Sequence, residues 1–241
     1  MKLLDLTLDS PVENLALDEA LLDYAEGAAS RADSEILRLW EPRKIVVVAG
    51  SSSRLAEEVN LDACRARAIP VLRRASGGAA IVAGPGCLMY AVVLAYRDRS
   101  HLRDIGEAHQ FVLGTIAKAL YRSVPGIRQA GISDLVLGER KLSGNSLRCK
   151  RGHFLYHGTI LYDFPIDEIG LLLKMPPRQP AYRLARRHHD FLANLPISRE
   201  TIRQSLVDAF RAHEPLADWP RELTAKLAES KYSRPEWNHR L

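Results

Sequence analysis

The sequence predicts a mixed α/β protein of the α+β kind. Three observations carry this. Hairpin-like strands follow one another near 132–137, 140–148 and 153–163. Leu88 to Tyr96 reads as one long apolar strand. Capped helical stretches stand before and after these strands.

The elements follow in order. Ser10-Pro11-Val12-Glu13 is a capping box with Pro at the first helical position. Leu17, Leu21 and Tyr24 continue at helical spacing to Gly27. Ile36 to Trp40 and Lys44 to Ala49 read as strands joined by Glu41-Pro42-Arg43. Asn60 caps a helix over Leu61 to Arg67, and a strand ends at Arg74. Ser100 can cap a helix running to about Arg122. After the hairpins, a short helix is expected near Asp167 to Lys174. Met175-Pro176-Pro177-Arg178-Gln179-Pro180 then breaks regular structure. The segment to about Pro196 reads as a loop rich in Arg and His. Arg183, Arg186, Arg187, His188 and His189 look too dense for a core, with Phe191 and Leu195 as anchors. Ser198 caps an amphipathic helix to about His213, and Pro220 starts another to about Glu229. The remaining residues, Lys231 to Leu241, are polar, with Tyr232 and Trp237 as aromatic anchors.

Composition narrows the function classes. With 241 residues, 46% hydrophobic and 26% charged, the chain can bury a substantial core without disulfides. Cys64, Cys87 and Cys149 are scattered and form no metal-binding spacing, which suits a reducing cytoplasm. Residues 1–10 hold no apolar signal-peptide core, and no apolar run approaches the ~18 residues of a membrane span. The net charge is 34 minus 29, or +5, but basic residues are spread along the chain. No nucleic-acid-binding pattern accompanies them. A mildly basic surface instead suits an acidic protein and an anionic nucleotide.

Two segments carry chemistry. In Gly138-Glu139-Arg140-Lys141-Leu142-Ser143-Gly144-Asn145-Ser146, one lysine stands among small residues that let a ligand approach the backbone. Its ammonium suits a carboxylate, a phosphate or a developing oxyanion. The segment also fits a hairpin with an ordinary exposed lysine. Upstream, Arg73-Arg74-Ala75-Ser76-Gly77-Gly78-Ala79-Ala80 places two guanidiniums before a glycine turn, able to form an anion nest. It is neither a P-loop nor a dinucleotide fingerprint, and a plain hairpin turn also fits.

In this order, with Gly131-Ile132-Ser133-Asp134-Leu135 and His157-Gly158-Thr159-Ile160-Leu161 between and after them, these segments resemble the catalytic domain of lipoate–protein ligases. The resemblance runs from about Leu15 to about Asn194 and is strongest at Lys141 and His157-Gly158-Thr159. It implies a biotin/lipoate ligase-like fold: a mixed, largely antiparallel β-sheet flanked by helices. Residues 1–196 would form the catalytic domain, with 197–241 a helical appendage packed on it.

The resemblance also implies an activity. Such enzymes join lipoate or a related medium-chain acid to ATP as an acyl-adenylate, then pass the acyl group to a lysine of a lipoyl domain. Lys141 would bridge the carbonyl oxygen and the α-phosphate. Arg73, Arg74, Ser76, Gly77, Gly78 and Ala79 would hold the acid and phosphate, and Asn145 and Ser146 the adenosine. His157, Gly158 and Thr159 would lie on a ligand-side strand, and Asp134 would ligate Mg²⁺. Some positions depart from the ligase pattern. Ala79 replaces a Gly, Ala83 a His and Ser133 an Asn, while Gly84-Pro85-Gly86 is similar to octanoyltransferases. The rival readings are a lipoyl or octanoyl transferase working without ATP, and an inactive acyl-binding homologue. The chain is too short to include the usual accessory domain, which points to a separate accessory protein.

Overall fold

The computed structural model describes residues 1–27 and 35–241. The first helix, α1 (Pro11–Gly27), starts where Ser10 accepts a hydrogen bond from the Val12 amide at 3.2 Å. Nearly every turn of α1 is buried, because it lies between the main sheet and the C-terminal helices. That position forces Asn14, Asp18 and Glu19 inside along with its leucines.

Eleven strands are described: β1 (Lys2–Asp5), β2 (Ile36–Trp40), β3 (Val46–Ala49), β4 (Val71–Arg73), β5 (Ile81–Ala83), β6 (Cys87–Ala95), β7 (Ile127–Ala130), β8 (Asp134–Leu137), β9 (Arg140–Cys149), β10 (His153–Leu161) and β11 (Glu214–Pro215). The larger sheet has eight of them in the order β11-β1-β2-β6-β10-β9-β8-β7. Only the β11-β1-β2 pairings are parallel; the rest are antiparallel. The smaller sheet has the order β4-β3-β5.

Period-2 alternation divides the large sheet's side chains. On β6, Leu88, Tyr90, Val92 and Leu94 join the core under α4 (Ile105–Tyr121), whereas Ala91 and Val93 meet Leu17, Leu21 and Leu22 of α1. The smaller sheet builds a separate core with Phe164, Ile169, Phe191 and Tyr232. The fold is therefore a mixed, largely antiparallel sheet flanked by helices.

Several elements differ from the sequence expectation. The cap of α4 is Asp104, whose carboxylate accepts from Glu107 N at 3.0 Å; Ser100 opens a separate 3-10 turn. Strands β1, β5 and β7 and helices α2 (Leu55–Glu58) and α3 (Leu61–Ala66) surround the predicted pieces. All but α3 escaped notice, because three or four residues show no usable period. After α5 (Asp167–Leu172), the Arg/His-rich segment contains α6 (His188–Phe191). Helix α7 (Arg199–Phe210) packs on α4, while α8 (Arg221–Leu227) and a π-turn packs on α1, followed by α9 (Pro235–Asn238).

Candidate active site

A cavity of about 570 Å³ opens between the loop after β4 and strands β8, β9 and β10. Asp134, Lys141, Asn145, Ser146, His157, Gly158 and Thr159 line it from the strands, Arg74, Gly78 and Ala79 from the loop, and Asp18 from α1. A smaller arm of about 150 Å³ adjoins it, lined mainly by apolar side chains such as Ile81, Leu161, Ile169, Leu173 and Phe191. Lys141, Gly144 and Thr159 border both arms.

Lys141 stands at that junction. An extra residue in β9 interrupts the ladder beside Leu135 and Val136. The ammonium lies 2.7 Å from Asp134 Oδ1, and Tyr182 donates to Asp134 Oδ2 at 2.7 Å. Gly144 leaves the space Lys141 uses: a Cβ there would come within 2.9 Å of Nζ. The space left by Gly144 is taken by the lysine itself, where the sequence reading assigned it to a ligand approaching the backbone. Burial, then the adjacent Asp134 charge, push the Tyr182 phenol well above its ordinary range, so it remains a donor.

Asn145 is held from three sides. Tyr90 donates to its side-chain oxygen, and its amide donates to Ser133 O at 2.8 Å and Ser143 Oγ at 3.0 Å. It faces Gly158 across the β9–β10 ladder, and a Cβ on Gly158 would overlap its side-chain oxygen. Gly158→Ala should therefore expel Asn145 and release the Ser133 turn, costing about 1–3 kcal/mol as an overpacked site. Urea unfolding checks this; a variant as stable as the parent would contradict the contact.

The loop after β4 is built around Arg74. Its guanidinium donates to Val48 O at 3.2 Å, Gly77 O, Ala79 O at 3.1 Å and Ser76 Oγ at 3.1 Å. Burial lowers its pKa to about 10, partly offset by Glu58, so it stays cationic at neutral pH. Ser76 Oγ lies 2.6 Å from His157 Nε2, and His157 Nδ1 lies 3.2 Å from Asp18 Oδ2. Burial pushes the Asp18 carboxyl up, but Arg38 at 2.5 Å and His157 outweigh this and hold it below the ordinary range. An ionised Asp18 only accepts, so Nδ1 donates to it, and in a neutral ring Nε2 then accepts from Ser76. The result is a chain that runs from Arg74 through Ser76 and His157 to Asp18, which accepts from Arg38 on its other side.

The predicted residues are thus placed unequally. Arg74, Gly78, Ala79, Asp134, Lys141, Asn145, Ser146, His157, Gly158 and Thr159 come together at the cavity. Ser76 and Gly77 stand behind it: Ser76 is occupied by His157 and Arg74, and Gly77 O accepts from Ser146 Oγ at 2.9 Å. Arg73 faces away, fully buried, donating to Gly50 O at 2.7 Å and Ser53 O at 2.9 Å. Adjacent residues on an extended chain point to opposite sides, so only one arginine of the pair can face the cavity. Asp134 is a single carboxylate. Among the described residues no group of three His, Cys, Asp or Glu could hold a metal alone. Both Asp134 oxygens accept, from Lys141 and Tyr182, so an Mg²⁺ here would share the carboxylate with those donors and take its other ligands from phosphate oxygens and water.

Sequence reasoning missed Asp18, its partner Arg38 and Asn14, which accepts from Arg38, as well as Tyr90, Tyr182, and Glu58, which accepts from Ala80 N at 2.6 Å. The signal for Asp18 was the acidic pair Asp18-Glu19 inside the otherwise apolar Leu15–Leu22 stretch. The Arg/His segment does border the smaller arm, through Arg178, Arg183 and His188. Its arginines are not all outward, however. Arg183 is only 4% exposed and stacks on the buried Phe191, and Arg186 is tied to Arg183 O, Tyr182 O and Glu139 O.

The cysteines stand apart from this site. Burial raises the thiol pKa of both Cys64 and Cys87. Cys149 is exposed at the far end of β9 from Lys141, roughly 27 Å away at strand rise.

Comparison with known proteins places these features. The family model of the lipoyl protein ligase A/B catalytic domain matches residues 10–211. Lipoate-protein ligase A subunit 1 of Thermoplasma acidophilum is 26% identical, over 93% of this chain and 90% of its own length. The octanoyltransferase LipM of Kyrpidia tusciae is also 26% identical, over 94% of each chain. A crystal structure of lipoate-protein ligase A bound with ATP superposes with a TM-score of 0.83 at 25% identity, covering 99% of this chain and 98% of that one. The structure of a bipartite lipoate protein ligase and its E2 lipoyl domain from Thermoplasma acidophilum shares the fold, with a TM-score of 0.84 at 24% identity over 99% of this chain and 95% of that one.

Proposed function

Because the chain belongs to the lipoyl protein ligase A/B catalytic domain family, we propose that it activates lipoate, or a related medium-chain acid, with ATP and transfers the acyl group to a lysine of an acceptor lipoyl domain. The observation that carries this reading is Lys141, held by Asp134 where the two cavity arms meet, with Arg74 on the loop that borders them. Two arms suit two substrates, and a cation at their junction suits the charge that develops where they react.

In the first step a carboxylate oxygen attacks the α-phosphorus and pyrophosphate leaves. In the second, the acceptor amine attacks the acyl carbonyl, AMP leaves, and the amine loses a proton. Lys141 would stabilise the oxygen between carbonyl and phosphorus in both. Gly78 and Ala79 would present backbone to the phosphates, with Arg74 supplying positive charge beneath them. Asn145 and Ser146 would border the nucleoside, and His157, Gly158 and Thr159 the ligand-side wall. Asp134 would hold Mg²⁺ together with the triphosphate, and the ion would neutralise phosphate charge. Arg73, Ser76 and Gly77 would act by shaping the loop.

The bipartite Thermoplasma ligase supports a separate accessory protein for this chain too. The three unpaired cysteines suit a reducing cytoplasm, and among the described residues no helix is long and apolar enough to cross a membrane.

Acid-dependent exchange of labelled pyrophosphate into ATP tests the reading. Exchange with lipoate or octanoate is the expected result. The octanoyltransferase relatives set the alternative: no exchange, with acyl transfer from a thioester carrier. A thioester relay needs an accessible thiolate near the lysine. Replacing Cys64, Cys87 and Cys149 together by Ala or Ser should therefore leave most activity. A folded but inactive triple variant, with a trapped thioester in the parent, would favour the transferase.

A further inference from the structure

Strand β4 is an edge of the smaller sheet, so its outward backbone groups lack a partner strand. Residues 231–241 supply one with side chains. Asn238 Oδ1 accepts from Arg73 N at 3.0 Å, and Trp237 Nε1 donates to Arg73 O at 2.8 Å. Arg73 Nε returns a hydrogen bond to Trp237 O at 3.1 Å. The same segment reaches two other supports of the loop after β4. Arg240 donates to Ser51 O, while Ser51 N donates to Ser76 O at 2.7 Å. Lys231 and Tyr232 bind Glu19 at 2.6 and 2.7 Å; Arg148 pairs with Glu19 at 3.4 Å and donates to Ala75 O at 2.9 Å. Root, underside and flank of the loop are therefore all tied to one short segment.

We propose that residues 231–241 are a brace that sets the anion-binding loop, with Trp237 and Asn238 as positioning residues for the activation step. The consequence for catalysis rests on the ligase reading; the brace itself does not. Neither side chain lines the cavity, so neither touches substrate. Loosening the brace lowers the fraction of molecules whose loop is ready, and the apparent affinity for ATP falls by that fraction. Saturating ATP selects the ready loop and restores the rate.

The test uses the full chain with Asn238→Ala and, as the milder change, Trp237→Phe, which keeps a ring but removes the N–H donor. Hydrogen exchange of the peptide over 73–80 should quicken about fivefold or more, while β6 and β10 stay protected. Lipoate with saturating ATP should restore that protection. In pyrophosphate exchange the KM for ATP should rise about tenfold with kcat within about twofold. A residue that served stability alone would lower the urea midpoint and leave KM and the 73–80 exchange unchanged. Unchanged exchange over 73–80 in the folded variants would overturn the brace. If the parent itself exchanges no pyrophosphate, the activity reading fails, and the amide exchange alone decides the brace.

Discussion

Lys141→Ala should lower both acid activation and acyl transfer by about 10²–10³-fold or more, the scale seen when one preorganised charge-stabilising donor is removed. On the ligase reading the two half-reactions share one need: positive charge at the oxygen between carbonyl and phosphorus. Lys141 would meet it from the position set by its tie to Asp134 and the space above Gly144. The side chain is 26% exposed and sits at a cavity wall, so its removal should leave the fold intact. Tyr182 still donates to Asp134 in the variant, which limits the cost to that carboxylate. Lys141→Arg should not restore activity, because the larger planar group does not fit the ammonium's place against Gly144. Single-turnover transfer from a supplied acyl-adenylate measures the second step alone. Near-normal transfer by Lys141→Ala would remove this role.

Asp18→Ala should produce the largest loss of stability, about 3–5 kcal/mol, because it strands a buried charge. Arg38 is fully buried and its ionic partner is Asp18. Asn14 Oδ1, at 2.6 Å, and nearby carbonyls would remain, but none carries charge. The variant also frees His157 Nδ1, so the hydrogen bond that orients Ser76 and Arg74 loses its direction. A carboxyl held below its ordinary pKa leaves the unfolded chain binding more protons as pH falls past the ordinary aspartate value. The stabilisation is therefore complete above that value and is lost as pH drops through the folded one. Asp18→Asn should flatten this part of the acid limb of stability. Guanidinium unfolding of parent and variants between about pH 3 and 7 measures both effects. An Asp18→Ala loss below about 1 kcal/mol would show that Arg38 is satisfied without its partner.

Much of the architecture was legible because its strongest signals are local. The β9–β10 hairpin and β6 have long apolar or alternating runs, and α1 and α7 carry cap residues at their starts. The short pieces β1, β5, β7 and β11 were not, since they owe their existence to pairing with distant strands. For the cavity, the small residues around Lys141 marked a stretch that lines it. The sequence could not show that Arg73 and Arg74 would part company, although strand alternation accounts for it. Nor could it show Asp18 meeting His157 or Tyr182 meeting Asp134. Those pairs are separated by 139 and 48 residues and are joined only by the fold. The Arg/His segment misled for a related reason: Arg183 enters the interior by stacking on Phe191, where density of charge had suggested solvent.

On the ligase reading, ATP drives acyl attachment to an acceptor lysine through the Lys141 cavity. Intact-mass spectrometry of a lipoyl-domain acceptor tests it directly, after incubation with this protein, any accessory subunit, ATP, Mg²⁺ and lipoate or octanoate. One acyl group on a single lysine is the expected product, formed only when ATP is present and lost with Lys141→Ala. An acceptor acylated without ATP from a thioester carrier, and left unmodified by free acid with ATP, would contradict it.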